Sequence, residues 1–105
     1  MASAADVGAF FLALHSGRLL PEAAVTDMSR SRGTLEDGPD YGLGVSIVYT
    51  DCADDISGHF GEVPGFLSLA LYNPGTDRTA VTLVNTNSDR GLDTINRLTQ
   101  EGLCF

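Results

Sequence analysis

The sequence predicts an α+β fold, an antiparallel sheet of three to four strands flanked by N-terminal helices and a C-terminal helix. Three patterns predict it. Apolar residues recur at helical spacing before Gly17, alternate with a period of two from Tyr41, and return to helical spacing after Ser88. The 105 residues suffice for one small domain, 1–105.

Ser3-Ala4-Ala5-Asp6 has the form of a capping box, in which Ser3 accepts from an early helix N–H and Asp6 reaches back. Val7, Phe10, Phe11 and Leu14 then make residues 4 to 16 an amphipathic helix, and Gly17 ends it. His15, late in that helix, reads as a surface or capping residue. Pro21 suits the first turn of a second short helix running to about Met28. Residues 29 to 40 turn polar and Gly-rich, which is loop.

Tyr41, Leu43, Val45, Ile47 and Tyr49 alternate with Gly42, Gly44, Ser46, Val48 and Thr50, predicting a strand over 41–50. Residues 51 to 55 form an acidic turn whose Asp54-Asp55 pair reads as solvated. Ile56 to His59 is a short strand entering a glycine-rich loop, Gly58-His59-Phe60-Gly61-Glu62-Val63-Pro64-Gly65-Phe66. Such glycine density marks a backbone that turns tightly or lets another group come close. Phe66 to Asn73 alternates again, with Leu67, Leu69 and Leu71 on one face. A turn at Asn73-Pro74-Gly75 leads to a strand over 79–86, with Val81 and Leu83 facing one way and Val84 the other. Asn87-Ser88-Asp89 caps a last helix whose stripe is Leu92, Ile95, Leu98 and Leu103. The strands are apolar on both faces in places, so both faces need covering.

Composition excludes several function classes. Net charge is −8 with a pI near 4.3, which opposes binding to nucleic acid or an anionic membrane surface. No apolar run reaches the roughly 20 residues of a membrane span. Met1-Ala2-Ser3 lacks the regions of a signal peptide, so the protein is expected to be cytoplasmic or to start inside a longer chain. All six basic residues are arginine. Without lysine there is no P-loop and no Ser-x-x-Lys pair, and Gly-x-Ser-x-Gly, His-Glu-x-x-His, Cys-x-x-Cys and Gly-x-Gly-x-x-Gly are likewise missing. Cys52 and Cys104 lack metal-ligand spacing, so no metal or other cofactor is expected. They are either two buried thiols or, in an exported protein, a disulfide.

Taken together, Tyr41-Gly42-Leu43-Gly44, then Gly58-His59-Phe60-Gly61 with Pro64-Gly65-Phe66, then Val84-Asn85-Thr86-Asn87 before a helix resemble the C-terminal part of the serine β-lactamase/DD-peptidase superfamily. Within it the segments resemble class C β-lactamases, the esterases like them and secreted D-alanyl-D-alanine carboxypeptidases. The opening helix and Ser16-Gly17-Arg18-Leu19-Leu20 resemble the family too. The resemblance implies a partial β-lactamase/transpeptidase-like fold. It also implies that His59-Phe60-Gly61 matches the third active-site motif, Lys-Thr-Gly or His-x-Gly, on a strand at the cleft edge.

His59 would then face the cleft near the catalytic hydroxyls, Gly61 would admit substrate to the strand, and the Glu62 backbone N–H would donate to an oxyanion. Tyr41, Phe60 and Ser46 would line the substrate site. The secreted carboxypeptidase relatives carry cysteines at the places of Cys52 and Cys104, which implies a Cys52–Cys104 disulfide and a secreted parent protein. Family members that bind a free carboxylate use threonines around the third motif and an arginine on the Tyr-Gly-Leu-Gly strand. Here Phe60 and Glu62 replace the threonines, and Ser46 stands in the arginine's place, so an ester or amide substrate fits better.

The nucleophile, its lysine and the tyrosine motif lie upstream in the family. The chain alone is therefore expected to be inactive, with the upstream part of the same hydrolase as its partner; a small peptide, ester or β-lactam would bind only the complete enzyme. The rival expectation is a non-catalytic assembly module that self-associates through its exposed sheet. A metal or redox role for Cys52 is a third, which a bridge between the cysteines would exclude.

Overall fold

The computed structural model describes residues 2–34, 38–53 and 55–104; Asp54 of the acidic pair and residues 35–37 of the loop lie outside them. Helix α1 spans Ala4–His15. Its capping box closes as expected: Asp6 N–H donates to Ser3 Oγ at 3.1 Å, and Ser3 N–H to Asp6 Oδ2 at 3.2 Å. Gly17, at φ +87°, ends it. Helix α2 spans Glu22–Met28, and Asp27 near its end pairs with both Arg30 (2.9 Å) and Arg32 (2.8 Å), holding down the chain that follows.

Five antiparallel strands come next: β1 (Asp40–Tyr41), β2 (Ser46–Val48), β3 (Ile56–Val63), β4 (Phe66–Asn73) and β5 (Arg78–Val84), in spatial order β1-β2-β3-β4-β5. Helix α3 (Asp89–Cys104) closes the chain. One sheet face packs Ile56, Leu67, Leu69 and Leu71 against Ile95 and Leu103 of α3. Helix α1 lies on the other face, against β4 and β5. Covering both faces explains why β4 carries apolar residues on both: Leu67, Leu69 and Leu71 on one and Ala70 and Tyr72 on the other are all buried.

Four expectations are corrected. The strand over 41–50 is two short strands folded against each other, with Tyr41 opposite Ser46 and Gly42 N–H donating to the Val45 carbonyl at 2.8 Å. Gly44 at φ +79° makes that reversal, so the sheet has five strands and Leu43 is exposed. The glycine-rich stretch is a hairpin and not a loop: β3 continues to Val63, which pairs with Phe66 around Pro64-Gly65, with Gly65 at φ +85°. The strand predicted over 79–86 ends at Val84. The inward stripe of α3 is Gly91, Ile95, Thr99 and Leu103, while Leu92 and Leu98 are exposed. Thr99 fits inside because its hydroxyl lies 2.6 Å from the Ile95 carbonyl and 2.7 Å from the Thr82 hydroxyl.

Cys52 and Cys104 form a disulfide, tying the turn after β2 to the end of α3. Both sulfurs are committed to this bridge, so neither is a free thiolate. At a sequence separation of 52, the chain-entropy model gives about 4 kcal/mol of stabilisation. The Cys52→Ser/Cys104→Ser double variant should therefore lose about 4 kcal/mol in urea unfolding.

Gly58 makes the tightest fit in the sheet, because a Cβ there would run into the Ala70 carbonyl oxygen and lie 2.9 Å from Leu71 Cα. Backbone atoms cannot rotate away, so Gly58→Ala should cost about 3 kcal/mol in the same measurement. At Gly61 the added carbon would meet the Ser68 hydroxyl at 2.5 Å, which can turn aside, and Gly61→Ala should stay within about 1 kcal/mol.

Candidate functional site

Strand β3 pairs with β2 only from Ile56 to Gly58, whereas its pairing with β4 runs from Ser57 to Val63. From His59 to Val63, among the described residues, it is therefore an open edge. Alternate backbone N–H and C=O groups of that stretch point away from β4. The registers His59↔Ala70 and Gly61↔Ser68 place these two on the α1 side of the sheet. Phe60 and Glu62, opposite Leu69 and Leu67, project from the α3 side. An open depression of about 280 Å³ beside the edge is lined by Val7, Phe11, His59, Gly61, Ser68 and Leu83.

The His59 ring is exposed but held at both nitrogens. Nε2 lies 2.8 Å from the Tyr41 hydroxyl, and Nδ1 lies 2.6 Å from the Phe60 carbonyl oxygen. The Tyr41 ring meets it edge-on, with centroids 5.8 Å apart. Tyr41 reaches this point because the β1–β2 reversal sets it beside Ser46, which in turn pairs with Gly58. The structure thus brings Tyr41 to His59, places Ser46 one strand away, and strings Phe60, Gly61 and Glu62 along the open edge.

A second polar cluster was not legible as a site. His15 is not a surface residue: it is half-buried, with Nε2 2.9 Å from the Ser57 hydroxyl and Nδ1 3.0 Å from the Phe11 carbonyl. Its ring stacks on Tyr72 at 4.7 Å and on Phe11 at 5.8 Å. The Tyr72 hydroxyl donates to Asp77 at 2.7 Å, and burial, reinforced by Asp77, pushes its ionisation up to about 12. Burial lowers the His15 pKa against the opposing Phe11 hydrogen bond. The cluster borders a cavity of about 660 Å³ between α1, α2 and the sheet. The available signal was the i,i+4 spacing of Phe11 and His15 on the inward stripe of α1.

With this geometry the chain is similar to two solved proteins. The penicillin binding protein from Bacillus halodurans matches over 92% of this chain, with a TM-score of 0.73 and 26% identity. The D-stereospecific amidohydrolase from Streptomyces sp. matches over 90%, with a TM-score of 0.63 and 25% identity. The chain has the fold of part of a penicillin-binding protein. Both neighbours belong to the serine β-lactamase/transpeptidase superfamily, and the chain spans 31% and 29% of their respective lengths. No family model matches the sequence. Among the described residues, no helix is long and apolar enough to cross a membrane.

The His15 cluster makes stability depend on pH. The folded state holds the ring neutral, with its pKa below the ordinary 6.5. Below pH 6.5 the unfolded chain binds a proton that the folded chain refuses, so the stability present above that pH is lost as pH falls toward the folded pKa. Urea midpoints measured from pH 8 to pH 5 should decline below about 6.5. In His15→Gln this component of the decline should vanish.

Proposed function

We propose that this chain is the C-terminal segment of a β-lactamase/penicillin-binding-protein-like serine hydrolase that carries out acyl transfer on a peptide, ester or lactam. One observation carries the reading: in a chain that matches a penicillin-binding protein over 92% of its length, His59-Phe60-Gly61 falls on the part of β3 that leaves its neighbour β2 and borders an open depression. His59 would form part of the cleft wall, and Gly61 would let an acyl group approach the strand. The Glu62 backbone N–H would be one of two donors to the oxygen that gains charge as the carbonyl is attacked.

That wall does not complete a catalyst. A second oxyanion donor and an activated nucleophile are required, and the sequence contains no lysine to serve a serine as partner. In this reading both come from the upstream part of the same protein, and the chain alone is silent. The disulfide suits an oxidising compartment, and the proposed location is extracytoplasmic. The lack of a carboxylate-binding arginine at Ser46 favours an ester or amide over a substrate with a free terminal carboxylate.

A second reading, a self-associating module without chemistry, is favoured by β5. It has β4 on one side, no described strand on the other, and helices over both faces, an arrangement open to another strand. The two readings separate by experiment. The isolated chain should turn over neither a chromogenic cephalosporin nor p-nitrophenyl esters. Turnover above buffer that is lost in His59→Ala would overturn its inactivity. A mass spectrum of the protein from its source should show a polypeptide bearing Ser-x-x-Lys joined to or bound with this segment; an 11.1 kDa species found only as self-assembled oligomers would favour the module.

A further inference from the structure

We infer that Tyr41 is the positioning residue for His59, and that the pair presents a hydrogen-bond acceptor to the cleft, suited to a substrate group that donates. The inference deepens the hydrolase reading and rests on it for the word substrate; the pairing itself does not.

The proton assignment follows from the partners. The Phe60 carbonyl oxygen, 2.6 Å from Nδ1, can only accept, so Nδ1 carries the ring hydrogen. In the neutral ring Nε2 is then a bare lone pair, and the Tyr41 hydroxyl at 2.8 Å donates to it. Both imidazole nitrogens are thereby spent inside the chain, and the neutral ring has no N–H left for a bound molecule. What remains at this exposed hydrogen bond is the Tyr41 oxygen, whose proton is committed and whose lone pairs accept no hydrogen bond among the described residues.

Among the described residues, no ion pair or hydrogen bond brings a cation to Tyr41 or His59. Arg32 donates its backbone N–H to the Tyr41 carbonyl at 2.9 Å, yet its guanidinium turns to Asp27 at 2.8 Å. A hydroxyl, amide N–H or ammonium on the substrate would meet an acceptor at Tyr41, whereas a carboxylate would meet oxygen lone pairs with no donor between. The substrate class is therefore an acyl donor with a hydrogen-bond donor, and no free carboxylate, on the side that faces this wall.

The test is a long-range ¹⁵N–¹H spectrum of the histidine rings in the 105-residue chain, recorded above pH 7 for the unaltered protein and for Tyr41→Phe. His59 should be a single Nδ1–H tautomer, and its Nε2 resonance should move toward that of a free, non-accepting nitrogen in Tyr41→Phe. His15 serves as the internal control and should not move. Averaged tautomers, or a His59 Nε2 indifferent to Tyr41→Phe, would overturn the pairing.

If Tyr41→Phe shifts His15 as well, the readout passes to the Tyr41 Cζ resonance in His59→Gln, which should lose the signature of a donated hydroxyl; no change overturns the pairing. The substrate class is read by titrating ethanolammonium chloride and sodium acetate at equal ionic strength. Ethanolammonium should perturb the Tyr41 and His59 resonances at concentrations about tenfold below acetate, the worth of one hydrogen bond. Acetate acting equally or better, or neither acting, would overturn the class. Failure of the pairing appears in these spectra, while failure of the hydrolase reading appears in the assays and mass measurement above.

Discussion

Strand β4 must be apolar on both sides, and the rest of the molecule follows from that requirement. A strand with leucines on one face and Ala70 and Tyr72 on the other cannot be left against water on either. Helix α3 covers the leucines with Ile95 and Leu103, and α1 covers the opposite face. Its two neighbours, β3 and β5, supply the backbone partners along nearly its full length. At about 25 cal/mol per Å² of apolar surface removed from water, this two-sided burial is the main favourable contribution within a chain this small.

The two-sided burial also sets where polar groups can sit. On the α1 side the layer closes with aromatic and polar residues, and the buried polar side chains described there are partnered: His15 with Ser57 and Phe11, Tyr72 with Asp77. Toward the hairpin tip α1 no longer covers β3, and His59 stands in the open with Tyr41 beside it. The two histidines thus occupy opposite regimes of the same sheet face. Burial sets the behaviour of one, and hydrogen bonds set the orientation of the other.

Much of this was legible in the sequence where a local rule has only one outcome. The capping box, Gly17 at the end of α1, the alternation of β4 and the turn at Asn73-Pro74-Gly75 each follow from residue chemistry at fixed spacing. What was missed depended on contacts across the fold. Period two ran unbroken through Tyr41–Thr50, but Gly42 and Gly44 allow a reversal whose hydrogen bonds lie within the stretch, and alternation cannot distinguish a strand from a strand folded on itself. The density of glycine between Gly58 and Gly65 suggested a loop, whereas Gly58 is required by the closeness of Ala70 on β4, two residues that sequence spacing does not connect. In α3, Leu92 and Leu98 outrank Thr99 in hydrophobicity, yet Thr99 is inside because Thr82 and the Ile95 carbonyl satisfy it. Of the candidate site, a strand carrying both His59 and Gly61 was implied only by the family resemblance, because the residue pattern after His59 read as a loop; the reach of Tyr41 to His59 was not legible at all.

The disulfide divides the chain in a way that its helices and strands do not. Everything from the turn after β2 through α3 lies within a covalently closed ring, and α1, α2, β1 and β2 lie outside it. A protease that nicks inside the ring leaves both pieces joined, with β3, β4, β5 and α3 still tethered and free to re-form. A cut in the connection after α2 sets α1 and α2 loose, and with them the cover over Tyr72 and Ala70. The covalent structure thus guards the leucine side of the sheet and leaves the histidine side to be held by packing and the His15–Ser57 hydrogen bond.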